Sequence, residues 1–379
     1  MNVIVFISLL FTFCYAVLMV VYRVGWQKQR PFRGGMSVSS TKISVIVPAR
    51  NEEKNIEACI RSILSQDYPK ELLEVIVVDD HSTDKTADII RSYAEQGIQY
   101  VNLEEHLPEG PVVNAYKKRA LAVGIGKSKG ELIVTTDADC TAGISWLSFI
   151  ADKYEQDKPE MIAAPVCLTD NGSLVEVFQA MDFMSMQGIT VASLQLGMGN
   201  MCNGANLAFT RHAYDTVGGY DGIDHIASGD DFLLMMKISK AFPGKISYLQ
   251  SGQAIVSTPP QPDWTSFFNQ RIRWASKSGK YDDKRMTLVL AFVYLFNCSF
   301  LLVLISALFN SAMWNVLIVM LLVKTLSEYI YLVPVSRFYN KQKWLWMFPI
   351  LQPLHIAYVI SAGFLGGIGV YSWKGRKVK

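Results

Sequence analysis

Charge is scarce in this chain: 18% of its 379 residues are Asp, Glu, Lys or Arg, against 50% hydrophobic and 12% aromatic. So little charge on so apolar a chain argues against an ordinary soluble protein and points to the membrane. The formal net charge is only +3, which gives no argument for a nucleic-acid partner. The cysteines (Cys14, Cys59, Cys140, Cys167, Cys202 and Cys298) are scattered, with no C-x-x-C and no nearby His pair. Neither a zinc site nor a disulfide framework follows, and reduced thiols are the expectation. The histidines form no pattern and none is given a role. No G-x-G-x-x-G follows the first expected strand and no Walker A lysine loop occurs, so a dinucleotide dehydrogenase and a P-loop NTPase are both poorly supported. Internal repeats and low-complexity segments are also lacking.

What the chain has instead is long apolar runs. Residues 3–22 carry no charge and are long enough to cross a bilayer as a helix. A signal peptide's basic start and small-residue cleavage site are missing. Arg23, Lys28, Arg30 and Arg33 follow, so the positive-inside rule puts the N-terminus outside and the next domain in the cytoplasm. A second run, 286–309, is introduced by Lys280, Lys284 and Arg285. A third, 311–334, is interrupted by Lys324 and Glu328, which are four residues apart and can pair on one helix face. Such a pair faces either a substrate or another helix. Arg337, Lys341 and Lys343 return the chain to the cytoplasm. The last run, 344–373, has no charge, and one crossing would put the basic tail (Lys374, Arg376, Lys377, Lys379) outside. Pro349, Pro353, Gly363, Gly366 and Gly367 permit a broken or re-entrant arrangement instead. The expected organisation is a transmembrane helix (1–24), a basic linker (25–42), a cytoplasmic domain (43–280), and a membrane region (281–379) with about three transmembrane or re-entrant segments and a basic tail.

In the cytoplasmic domain, short apolar runs alternate with helical patterns. Strands are expected at 43–47, 73–78 and 99–101, and helices at 56–66, at about 84–93 and at about 117–125, after a polar loop with Gly110 and Pro111. This βαβαβ order implies an α/β domain with a parallel sheet and helices on both faces. The chain is organised around residues 132–140, a β-branched run that ends in Asp137 and Asp139. That spacing puts two carboxylates on one face of an extended chain. Mg²⁺ and Mn²⁺ take such ligands together with substrate phosphates, and ligands of open α/β sheets bind outside the carboxyl ends of the strands. A polar turn after a strand explains the same residues, and D-x-D alone is weak. Its company is stronger: Ala49-Arg50-Asn51-Glu52, Asp79-Asp80 and Asp137-Ala138-Asp139 each follow an expected strand. Together they suit a nucleotide, with a carboxylate for base or ribose and a metal for the diphosphate.

These stretches are V-I-V-P-A-R-N-E at 45–52, V-V-D-D-H-S-T-D at 77–84, K-R-A-L at 118–121 and T-D-A-D at 136–139. They continue as N-G-A-N at 203–206, V-G-G-Y-D at 217–221, G-D-D at 229–231 and Q-R-I-R-W at 270–274. In register from 43 to 275, the chain resembles a family 2 glycosyltransferase. The resemblance implies a Rossmann-like fold of the glycosyltransferase A type flanked by transmembrane helices, and inversion at the anomeric carbon of a nucleoside-diphosphate sugar, a UDP-sugar favoured. By resemblance, Pro48, Ala49, Arg50 and Glu52, with Asp79 or Asp80, would hold the base and ribose. Lys118 would lie near the phosphates, and Asp137 and Asp139 would carry ribose, diphosphate and Mg²⁺ or Mn²⁺. Asp230 and Asp231 correspond to an acidic pair, often Glu-Asp, whose second member is the base. A helix N-terminus would favour these carboxylates as well. Gly204, Asn206, Gln270, Arg273 and Trp274 would serve the acceptor and diphosphate side.

Phe267, Phe268, Ile272 and Trp274 make the last motif amphipathic, as in an interfacial helix, although Trp and Arg are also ordinary interface anchors. Residues 259–262, rich in proline, read as an entry loop. Met181, Met184 and Met186 suit either a core or contact with a lipid tail. The acceptor expected is a lipid of a bacterial inner membrane. The alternatives are a processive polysaccharide synthase and a catalytically silent membrane scaffold.

Overall fold

The computed structural model describes residues 3–34, 39–106, 115–199, 201–226, 229–276, 283–368, 371–373 and 376–378, the last two by backbone only. The expected loop at Gly110 and Pro111, together with Lys280, Lys374 and Lys379, lies outside them. In chain order come α1 (Val3–Lys28), β1 (Ile43–Ala49), α2 (Ile56–Leu64), β2 (Leu73–Asp79), α3 (Thr86–Arg91), β3 (Ile98–Asn102) and α4 (Tyr116–Lys127). Then follow β4 (Leu132–Thr135), β5 (Thr141–Ala142), α5 (Trp146–Asp157), β6 (Met161–Ala163), β7 (Val166–Leu168), α6 (Leu174–Leu196), β8 (Leu207–Thr210) and α7 (Arg211–Thr216). The chain ends with α8 (Phe232–Ala241), β9 (Ile246–Tyr248), β10 (Val256–Thr258), α9 (Trp264–Ala275), α10 (Lys284–Ala307), α11 (Ala312–Phe338), α12 (Phe348–Ile368), β11 (Tyr371–Trp373) and β12 (Arg376–Val378).

These elements form two compact units. One, the sheet unit, is Arg30–Thr169 with Asn200–Pro259; the other, the helical unit, is Met1–Gln29, Asp170–Gly199 and Pro260–Lys379. Helices α6 and α9 are grouped with the apolar helices.

The sheet unit is built on a seven-stranded sheet in the order β3-β2-β1-β4-β8-β6-β9. Its first four strands are parallel, and they read as near-continuous apolar runs because both faces are covered. Ile43, Val45, Ile46 and Val47 of β1 and Ile76, Val77 and Val78 of β2 are buried. Beyond β4 the sheet is mixed, since β8 runs antiparallel to both β4 and β6. The parallel strands are those of the expected βαβαβ order; β8 returns after the long α6 segment, too distant in sequence for that pattern to reveal its direction. Ala49 lies level with Asp79, and Thr135 is level with Ile46 on one side and Leu207 on the other. The loops after β1, β2 and β4, and the turn that leads into β8, therefore leave one edge.

In the helical unit, four segments are long and apolar enough to cross a membrane: Val3–Lys28, Lys284–Ala307, Ala312–Phe338 and Gln342–Gly367. On α1 the buried stripe is Ser8, Thr12, Tyr15, Met19, Tyr22 and Trp26 at alternating three- and four-residue spacing, while Phe6, Leu10, Phe13 and Val20 are exposed. Small and polar residues inside with apolar residues outside is the pattern of a helix packed among helices in lipid. α6 packs against α1 and α11. At Gly188 of α6 a Cβ would collide with Tyr331 and Val335 of α11, so the close crossing requires glycine there.

Lys324 and Glu328 pair at 2.6 Å inside this bundle. Lys324 also donates to Gln352 Oε1 at 2.9 Å, and Glu328 accepts from Tyr15 and from Gln352. Pairing removes much of the cost of charge at that depth. Helix α11 runs on through Pro334, past the expected end of that span. The last span opens with a 3-10 turn at Gln342–Met347 and continues as α12, where Pro349 sits in the first turn and its missing N–H costs nothing, with Pro353 inside the helix. The apolar run does not continue helical to Trp373, because β11 and β12 form an antiparallel pair.

Candidate functional site

The loops after β1 and β2 are stitched to each other. Asn51 (φ 51) and His81 (φ 54) both adopt left-handed backbone, a strain that persists only where the surroundings over-determine it. Asn51 Oδ1 accepts from Thr83 N at 2.8 Å, and Asn51 N donates to Ser82 Oγ at 3.0 Å. Arg50 donates to the carbonyls of Asp80 (2.6 Å) and His81 (3.1 Å), and Glu52 N donates to Thr86 Oγ1 at 2.8 Å. Asp80 Oδ1 lies 2.9 Å from His81 Nδ1 and 3.9 Å from Arg50. Asp79 is buried, and its Oδ1 has no hydrogen-bond partner among the described residues. Burial raises the Asp79 carboxyl above the ordinary range, partly offset by hydrogen bonds from Ser82. Pro48 and Ala49 form the end of β1.

Asp137 and Asp139 come together by a turn rather than along one face of a strand. β4 stops at Thr135, and Cys140 N donates to Asp137 O at 3.0 Å. Ligand atoms of Asp137, Asp139 and Cys140 lie within 4.8 Å of one another. Burial pushes the Cys140 thiol up and the two aspartates push it further; hard cations prefer oxygen to sulfur ligands. The two carboxylates, open to complement by phosphate oxygens and water, fit Mg²⁺ or Mn²⁺.

Lys117 joins these aspartates to the acidic pair. Its Nζ lies 2.7 Å from Asp137 Oδ1 and 3.1 Å from Asp230 Oδ2. Burial would lower this ammonium; Asp137, Asp230 and Asp231 outweigh burial and raise it, so it is charged. Asp231 caps α8 through Oδ1 to Phe232 N (2.8 Å), and its Oδ2 accepts from Gly204 N at 3.1 Å. A Cβ at Gly204 would lie 3.2 Å from Asp230 Oδ2, so the N-G-A-N backbone runs close against the acidic pair.

Two of the expected site residues make structural contacts. Lys118 is buried and donates to the carbonyls of Ile223 (2.8 Å) and Ile226 (2.7 Å); Lys117 is the lysine at the carboxylates. Asn206 is a framework residue: its Nδ2 donates to Pro165 O and Ala254 O, both at 2.8 Å, and its Oδ1 accepts from the Trp146 indole at 2.9 Å.

Gln270, Arg273 and Trp274 lie on α9 of the helical unit. Arg273 is half-buried, and its carbonyl accepts from Ser276 Oγ at 2.9 Å. Sequence reasoning passed over Arg271, which is buried, donates to Gln270 Oε1 at 2.7 Å and stacks 4.1 Å from the Trp274 ring centre. The signal was its place three residues before Trp274 and four after Phe267, on one helix face. Nearby, Gln179 pins the proline-rich segment by exchanging two 2.9 Å bonds with the backbone of Gln261.

A sheet whose parallel strands deliver polar loops to one edge, with carboxylates gathered there, defines a nucleotide-binding α/β class. Residues 44–179 match Glycosyl transferase family 2, and residues 132–362, more than half of the chain, match Glycosyl transferase family group 2. The chain belongs to the family 2 glycosyltransferases. It is 26% identical over 252 residues to the "Probable glycosyltransferase YdaM" of Bacillus subtilis, covering 62% of this chain and 54% of the relative. It is 26% identical over 256 residues to a "Poly-beta-1,6-N-acetyl-D-glucosamine synthase" of Staphylococcus epidermidis, covering 65% of this chain and 58% of the relative. The chain thus spans little more than half the length of these curated relatives. Among solved structures, the mannosyltransferase PcManGT from Pyrobaculum calidifontis, in complex with GDP-Man and Mn²⁺, matches with TM-score 0.60 at 18% identity. That match covers 97% of this chain and 99% of the other, and establishes a common fold.

Proposed function

We propose that the protein is an inverting glycosyltransferase that moves one sugar from a nucleoside-diphosphate sugar to a hydroxyl of a membrane lipid. The observation that carries this reading is the meeting of Asp137, Asp139, Lys117, Asp230 and Asp231 at one edge of the sheet. Asp79 and Asp80 take the base and ribose, with the Arg50–Glu52 loop as their support. Asp137 and Asp139 would hold a divalent cation, which would supply positive charge toward the diphosphate. Lys117 adds a second positive charge on the same side, and Asp230 holds that lysine. Asp231 accepts the proton of the acceptor hydroxyl, an effect worth about two to four decades in rate. Its two oxygens already take backbone N–H groups, which fixes their direction and leaves a lone pair on each for that proton. Gln270, Arg273 and Trp274 serve the acceptor and diphosphate.

The apolar spans carried by the same chain support a lipid acceptor, and on that reading the sheet unit works at the cytoplasmic face. Likeness to a relative named as a polymer synthase favours the second reading, processive extension of a glycan. The donor site is tested by titrating UDP- and GDP-sugars into the purified protein with and without Mn²⁺. The expected result is metal-dependent binding that Asp137→Asn and Asp139→Asn both weaken. Binding of equal strength without metal or in both variants would contradict the assignment.

A further inference from the structure

Arg271 is buried within the motif and joins it to two neighbouring helices. Its guanidinium is almost wholly buried, with 2% of its side chain exposed. It lies 4.7 Å from the Phe267 ring centre and 4.1 Å from that of Trp274. Nη1 donates to Gln270 Oε1 at 2.7 Å. On the other side, Nε donates to Asp182 Oδ2 of α6 at 2.9 Å, and Nη2 makes a 2.8 Å ion-pair contact with the same oxygen. Asp182 is 6% exposed, and its Oδ1 lies 3.7 Å from His355 Nε2 of α12. The Phe267 ring packs on Tyr358 of α12 at 5.2 Å and on Phe178 of α6 at 5.5 Å, which closes the pocket around the pair.

A buried ion pair is a poor device for stability alone, since apolar residues of similar volume often replace it without loss. It is a good device for direction. The planar fork fixes hydrogen-bond angles, and its face stacks on aromatic rings, neither of which lysine reproduces. Here one guanidinium sets both the Gln270 amide and the Trp274 ring, and its own orientation is set from α6.

We propose that Arg271, anchored by Asp182, is the positioning residue that aims Gln270 and Trp274 at the acceptor side of the reaction. The inference rests on the glycosyl-transfer reading of the 270–274 motif. Arg271 touches neither donor nor acceptor on this view; it acts through its two neighbours.

The test compares the wild-type full chain in detergent with Arg271→Lys and with the double variant Arg271→Met/Asp182→Leu. The double variant removes both charges and so avoids leaving one of them buried and unpaired. Both variants are expected to fold, to bind nucleotide like the wild type, and to lose kcat on the order of a hundredfold, the scale of an ångström-sized misplacement. Hydrogen exchange over residues 264–275 is expected to speed up in both variants, with exchange in the sheet unit unchanged. A folded double variant with wild-type kcat, or with unchanged exchange over that helix, would overturn the proposal. Exchange does not depend on turnover, so a wild-type protein that transfers no sugar would overturn the glycosyl-transfer reading and leave the positional one to stand or fall on exchange.

Discussion

Lys117 and Lys118 are neighbours in sequence and opposites in structure. Successive residues on a helix point about 100° apart, so one reaches the carboxylates and the other turns inward to the Ile223 and Ile226 carbonyls. Their replacements separate accordingly. Lys118→Met takes the donor from two carbonyls, at about 1–3 kcal/mol for each one left unsatisfied, and is expected to lower the melting temperature. Lys117→Met is expected to leave the melting temperature near wild type. It should weaken nucleotide-sugar binding roughly ten- to a hundredfold, the worth of one charge-assisted hydrogen bond. The reverse pattern in paired melting and binding measurements would return the phosphate role to Lys118. Sequence alone could not choose between the two, because the choice depends on which face of α4 packs against the 223–226 backbone. Asp137, Asp139, Asp230 and Asp231 were legible because each follows an apolar run or opens a helix. The three framework bonds of Asn206 gave no sequence signal, because a buried asparagine with structural partners looks, in sequence, like one that awaits a ligand.

Two helix-level contacts carry measurable predictions. Glu155 of α5 ties down the linker before β1: it accepts from Ser39 Oγ and Thr41 Oγ1, both at 2.7 Å, and from Ser40 N at 3.1 Å and Thr41 N at 3.3 Å. Burial raises its carboxyl, and these four bonds outweigh burial and hold it below the ordinary range. A carboxyl lowered by folding stabilises the fold while it is ionised. That contribution is complete above its unfolded-state value and fades as pH drops through the folded one. Glu155→Gln should therefore cost stability at neutral pH and narrow its gap from wild type under acid, as read by unfolding curves across pH; a gap that widens in acid would contradict the sign.

In the apolar helices, Glu328→Gln strands Lys324 without its counter-ion and is expected to cost about 3–5 kcal/mol. Lys324→Met/Glu328→Leu should melt closer to the wild type, and equal losses in the single and double variants would sink the pairing argument. The i,i+4 spacing announced this pair from sequence. Tyr15 and Gln352, which complete it, come from helices distant in the chain and gave no local signal.

At the scale of the whole molecule, the two units interleave along the chain. Residues 170–199 leave the sheet unit, join the apolar helices as α6, and the chain returns to complete the sheet with β8 and β9. Hydropathy found the four long apolar helices, and the βαβαβ rhythm found the parallel half of the sheet. Neither could assign α6 and α9, whose amphipathic patterns suit a soluble core as well as a bundle; only their packing decides. The reversed strand β8 was hidden for the same reason, since its direction is set by contacts made across seventy residues of intervening chain, from the end of β4 at 135 to its own start at 207.

The measurement that tests the central claim most directly is sugar transfer by the purified full chain in membrane lipid extract, with Mn²⁺ and a panel of UDP- and GDP-sugars. Wild type and Asp231→Asn would be assayed side by side, with products weighed by mass spectrometry. Asparagine keeps an oxygen to cap α8 but loses the acceptor for Gly204 N, so retained nucleotide binding serves as the check that the variant is folded. The result expected is a lipid heavier by one sugar in the wild type, with about two to four decades less of it from Asp231→Asn and nucleotide binding retained. A ladder of lengthening chains would contradict single transfer, and an Asp231→Asn protein as active as wild type would contradict the mechanism.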